Sequence, residues 1–108
     1  MEISFDDFMK LDVRIGKVEE AQQIPGSRNL LKLIVDFGTK KRTSVAGLSK
    51  YYEPEELVGK KFVFLLNLER RKLMGVESQC MALAAEDHEG NVVLIAPERD
   101  ITVGSKIG

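Results

Sequence analysis

An antiparallel β fold with short helices, curled into a small barrel, is the fold class this sequence predicts, and three observations predict it. Apolar and polar residues alternate over Leu30 to Phe37, LLKLIVDF. The segment Lys61 to Leu68, KFVFLLNL, is almost wholly apolar and rich in strand-forming types. Turn-forming pairs such as Pro25-Gly26 and Gly38-Thr39 cut the chain into short pieces. With 108 residues the chain fits one domain, 1–108, with a small core whose stability would gain from self-association.

Each element follows from its own residues. Ser4 with Asp7 three positions on is a capping-box-like start, and Phe5, Phe8 and Leu11 recur at helical spacing, so a short helix opens the chain. Its narrow apolar face either caps this domain or serves a partner; capping its own domain is the default. Asp12 to Ile24 alternates through Val13 and Ile15 and resumes at Val18, a strand bent at Gly16. In the second strand Leu31, Leu33 and Val35 share one face and Lys32, Ile34 and Asp36 the other. Lys40, Lys41 and Arg42 open a third strand that ends near Gly47. Pro54 followed by Glu55 and Glu56 predicts a helix of one or two turns. Lys61 to Leu68 is expected to be the central strand, Cys80 to Ala85 another, and Glu89-Gly90-Asn91 turns the chain into Val92 to Ile95. The tail ITVGSKIG still carries Ile101, Val103 and Ile107 and is expected to pack on the body or on a neighbour. A five-stranded Greek-key barrel with a helix between its third and fourth strands is the OB-fold, here with an N-terminal helix and a C-terminal extension.

Composition narrows the function. The net charge of −1 hides a segregated distribution: eleven Lys or Arg face five acids between Arg28 and Lys72, against three and six before it and two and six after it. A basic middle between acidic flanks suits a local anion site rather than indiscriminate coating of nucleic acid. No apolar run approaches a membrane span, and the acidic first residues are unlike a secretory signal, so a cytoplasmic protein is expected. One cysteine, Cys80, excludes an internal disulfide and a Cys-rich zinc set. The one histidine, His88, sits in EDHEG, read as a hairpin tip in preference to a metal site. With no glycine-rich phosphate loop and no nucleophile–histidine pairing except through His88, no catalysis, cofactor or metal is expected.

The OB-fold commonly binds through strands two and three and the loops after strands one and four. Basic residues fall there: Arg28 in the first loop, Lys32 on strand two, Lys41 and Arg42 on strand three, and Arg70, Arg71 and Lys72 in the loop after strand four. Three consecutive cations repel one another, which is easier to understand with a polyanion beside them, although a solvated loop without ligand shows the same run.

Five stretches stand in order along the chain: DVRIGKV at Asp12, KLIVDFG at Lys32, SVAGLSKYYEPEELVGKK at Ser44, NLERRKLMGVESQCMALAAED at Asn67 and VGSKI at Val103. On these the chain resembles the tRNA-binding domain that occurs alone in bacteria and archaea or attached to methionyl-tRNA synthetases and their cofactor proteins. The resemblance implies an OB barrel, a homodimer, tRNA as partner with a methionyl-tRNA synthetase as a possible second partner, and recognition of tRNA by shape. It also implies that Lys32, Asn67, Arg71, Lys72, Ser78 and Met81 line the tRNA surface. Cations can neutralise phosphates, and Asn67 and Ser78 can hydrogen-bond to a base, sugar or phosphate. Met81 either offers a base a deformable apolar contact or belongs to the core, the commoner place for a methionine opening an apolar strand. One departure is Cys80, where the family usually has glycine: either a buried strand residue or a redox-sensitive thiol. An export-related chaperone family of the same fold shares the FDDFMKLDVRIGKV type of opening and is the alternative. It uses a less basic loop and lacks the GLSKYY run, so tRNA binding is preferred.

Overall fold

Alternation along the strands sorts the side chains before any tertiary contact forms. In the computed structural model, which describes residues 1–108, Leu31, Leu33 and Val35 are buried while Lys32, Ile34 and Asp36 are only half covered. The elements in chain order are α1 (Phe5–Met9), β1 (Val13–Gln23), β2 (Leu31–Asp36), β3 (Lys41–Ala46), α2 (Pro54–Leu57), β4 (Lys61–Leu65), β5 (Arg71–Leu73), β6 (Val76–Ser78), β7 (Met81–Ala82), β8 (Ala84–Glu86) and β9 (Val92–Leu94). Five strands form one antiparallel sheet in the order β3-β2-β1-β4-β7, the OB-fold.

The middle of that sheet is β1, not the expected Lys61 to Leu68. Eleven residues long, β1 pairs with β4 through its first half and with β2 through its second, so it has the reach to bridge both sides of the barrel. Gly16 sits at the crossing, where a Cβ would lie 2.5 Å from Val35 Cγ1 and 2.6 Å from Phe37 Cε1, and the register slips between Val18 and Glu20 just beyond it. Beneath this bend twelve buried residues form the main core, with Phe37 and Phe64 edge to face at 5.5 Å.

Closure between β3 and the segment joining β6 to β7 uses side chains as well as backbone. The Gln79 N–H donates to Thr43 O at 2.7 Å, the Thr43 N–H to Gln79 Oε1 at 3.0 Å, the Val45 N–H to Ser78 Oγ at 3.0 Å, and the buried Ser44 Oγ to Cys80 O at 3.0 Å. The expected strand Cys80 to Ala85 divides at Leu83, whose N–H donates to Val63 O while its carbonyl accepts from the Ile95 N–H. The tail runs beside the first half of β1, where the Gly104 N–H donates to Ile15 O at 2.7 Å, the Ile15 N–H to Ser105 O at 2.9 Å and the Ile107 N–H to Val13 O at 2.8 Å. It packs on the body, as expected.

Helix α1 does not cap the core as expected. None of its residues is buried, and Phe5 is 72% exposed. Ser4 Oγ accepts from the Asp7 N–H, so the predicted cap forms, but five residues give too short an apolar stripe to reach the barrel. No helix is long and apolar enough to cross a membrane.

Candidate nucleic-acid interface

The stretch after β4 is a hairpin rather than an open loop. β5 and β6 pair from Arg71 opposite Ser78 to Leu73 opposite Val76, and the turn residues Met74 and Gly75 have φ of +53° and +80°. Two consecutive positive φ values match a type I′ turn, which Asn-Gly signals in a sequence and Met-Gly conceals. Alternation then splits the basic run. Arg71 and Leu73 line a cleft of about 550 Å³ against the barrel, so Lys72 projects from the hairpin's opposite face, where its cross-strand partner is Glu77. Arg70 Nη1 lies 3.3 Å from Glu77 Oε1. Hydrogen bonds from Gln79 and then Arg70 hold the Glu77 carboxyl below its ordinary range.

The cleft lies between β3, the hairpin and β7–β8, and most of its lining is apolar. Of the residues expected at a binding surface, Arg71, Ser78 and Met81 line it. Met81 is exposed, which removes the core alternative for it. Lys32 stands opposite Val45, another lining residue, on the face of β2 turned away from the core. Arg28 is exposed two residues before Leu30, also in the lining, and the hairpin leans toward this loop: Met74 Cε is 3.3 Å from where a Cβ on Gly26 would stand. Arg28, Lys32, Arg71 and Lys72 take part in none of the six ion pairs.

Other candidates are differently engaged. Lys41 Nζ pairs with Glu19 Oε2 on β1 at 3.0 Å, and that hydrogen bond, followed by the charge, raises the ammonium's pKa. Arg42 lies opposite Val35 on the core-side face of β3, its Nη1 reaching Gln79 O at 3.5 Å. Asn67 accepts from the Asp12 N–H at 2.9 Å and donates to Lys10 O at 2.6 Å, tying the segment before β1 to the segment that follows β4. Ser78 Oγ accepts from Val45 and donates to Cys80 O at 3.2 Å, so its hydroxyl already serves barrel closure.

Burial pushes the Cys80 thiol up to about 11, against hydrogen bonding from Ser44 and the charges of Arg42 and Arg70. Cys80 is buried, as the first of the two readings expected, but it sits in the bend between β6 and β7 and not in a strand; a buried neutral thiol is a poor nucleophile. Asp87 accepts from the Glu89 and Asn91 backbone N–H groups, which makes the His88 segment a hairpin turn. What the sequence reading missed is the apolar lining, Tyr51 above all. Its signal was the aromatic pair in GLSKYY, of which Tyr51 is exposed in the cleft while Tyr52 packs against the core.

Residues 13–106 match the family model described as "Putative tRNA binding domain". Over 97% of its length the chain is 52% identical to a methionine–tRNA ligase of Methanococcus aeolicus, of which it spans 15%. Among solved structures it is similar to a MetRS related protein from Pyrococcus horikoshii, with 43% identity, a TM-score of 0.94 and full coverage of both chains. It is also similar to the chaperone CsaA of Bacillus anthracis, with 33% identity, a TM-score of 0.90 and full coverage of both.

Proposed function

Since the chain belongs to the tRNA-binding-domain family, we propose that it binds folded tRNA through the hairpin cleft and the adjoining face of β2, without catalysing a reaction. One observation carries this reading: Arg71 in the cleft wall, Lys32 across from Val45, and nearby Arg28 are cations without acidic partners, gathered from three separate stretches of chain. Such side chains neutralise phosphates, while a rigid barrel holds them at separations that suit a folded RNA. Lys41, Arg42 and Arg70 join the groove where RNA outcompetes their present contacts, and Lys72 meets the backbone from the hairpin's outer face. Asn67 and Ser78 act mainly by shaping it.

The whole segment 1–108 works as one binding unit in the cytoplasm, alone or in trans with a methionyl-tRNA synthetase. Two copies associate through α1 and the tail, where Phe5, Phe8, Leu11 and Ile107 line an exposed apolar groove that a second copy would cover. Supporting a second reading, as a polypeptide-binding chaperone, are the similarity to CsaA and the apolar lining of the cleft.

The test is tRNA affinity across ionic strength. Log affinity is expected to fall with log salt at roughly 0.7 to 0.9 per neutralised phosphate, and the double charge reversal Arg71→Glu with Lys72→Glu should weaken binding and flatten that slope. An unchanged slope in the variant removes the hairpin from the interface. Suppression of aggregation without tRNA binding selects the chaperone reading.

A further inference from the structure

Phosphate neutralisation does not account for the cleft itself. A groove that only tracked a backbone would be lined by polar and charged groups, yet twelve of its seventeen lining residues are hydrophobic. Leu68, Met81 and Tyr51 leave 45%, 41% and 43% of their surfaces exposed there. Apolar surface left open beside unpaired cations fits a ligand that is flat and apolar at one end and anionic at the other. A nucleotide is such a ligand, with a base whose faces bury favourably against aromatic and thioether side chains.

Resting on the tRNA-binding reading above, we propose that this cleft receives one unstacked nucleobase of the bound RNA, between Tyr51 and Met81, while Arg71 meets the adjoining phosphate. The two acids of the lining, Glu69 and Glu86, belong to no ion pair. Next to a phosphate they would repel; beside a base edge they accept from its amino or imino N–H groups. Apolar polypeptide side chains would fill the same volume but bring no anion to Arg71, which favours the nucleotide.

Gly47 gives access to a test that spares the cations. It lines the cleft, its φ is not positive, and a Cβ built on it meets nothing within 4 Å, so Gly47→Leu places bulk in the opening without displacing the barrel. Tyr51→Ala removes the stacking surface instead, at an exposed position. Total tRNA would be titrated against the full chain and both variants from low to moderate salt, with a reduced, carboxymethylated polypeptide as competitor. Each variant is expected to lose about tenfold in tRNA affinity at every salt concentration, with the log–log slope of the unaltered chain retained. Undiminished affinity in both variants overturns the inference, and so does a loss that flattens the slope. Displacement of tRNA by the polypeptide from the unaltered chain but not from Gly47→Leu assigns the cleft to peptide and overturns it too. If the unaltered chain binds no tRNA at any salt, the underlying reading fails with it, an outcome distinct from the other three.

Discussion

Replacing Gly104 by alanine should release the C-terminal strap. Gly104 has φ +84°, and a Cβ there would stand 2.5 Å from the carbonyl oxygen of Phe37, backbone that cannot swing aside as a side-chain tip would. Left-handed backbone costs a non-glycine residue about 1–2 kcal/mol, and the clash adds to it. The chain limits the damage by letting the tail detach. Detachment forfeits the three backbone hydrogen bonds to Val13 and Ile15, each worth roughly 0.5–1.5 kcal/mol net. The smaller of the two costs sets the loss, at about 3 kcal/mol, a large share of the roughly 5–15 kcal/mol of an ordinary domain. Urea denaturation followed by circular dichroism measures the loss, and hydrogen exchange locates it. The Ile15 amide, which donates to Ser105 O, should exchange much faster while the Leu33 amide, in a core strand, keeps its protection relative to global unfolding. Gly47→Ala is the control, because a Cβ there has open space, and should shift stability by under about 0.5 kcal/mol. A Gly104→Ala protein within about 1 kcal/mol of the parent, or with an unchanged Ile15 amide, would falsify the strap argument.

Two further outcomes are expected. Because burial raises the Cys80 thiol from 9.0 to about 11, the folded state holds its proton where the unfolded state has lost it; stability from this group is intact below about pH 9 and drains away as pH rises through 11. Stability against pH for the parent and for Cys80→Ala should therefore diverge over that window by roughly 2 kcal/mol, and parallel curves there would remove the burial argument. Asn67→Ala breaks two hydrogen bonds, to the Asp12 N–H and to Lys10 O, and should cost about 1–2 kcal/mol of stability while leaving tRNA affinity, measured well below the melting range, within about threefold. A tenfold affinity loss at unchanged stability would make Asn67 a reader of RNA and not a clamp.

Some of this protein was legible residue by residue because its cause is local. Period-two alternation sends Leu31, Leu33 and Val35 to one side of any strand, whatever lies beside it. Pro54 acts through backbone sterics of its own, so the start of α2 needed no tertiary knowledge, whereas Gly16 marked a bend in sequence whose cause, the close approach of Val35 and Phe37, is tertiary. Motif order and the crowding of eleven cations between Arg28 and Lys72 likewise stand in the one-dimensional chain and pointed to its family.

Which cations remain available was decided by strand register, and register brings together residues that are far apart in sequence. The bulge after Val18 sets Glu19 against Lys41; the pairing of Arg71 with Ser78 turns Lys72 away from the cleft; and the return of β7 leaves Met81 exposed where its apolar run suggested core. Closure through Ser44, Ser78 and Gln79 was hidden for the same reason, since a serine or glutamine shows no sign in sequence of the backbone group it will meet. Amphipathic spacing in α1 foretold a helix but not its neighbour, because an apolar stripe specifies only that something should cover it.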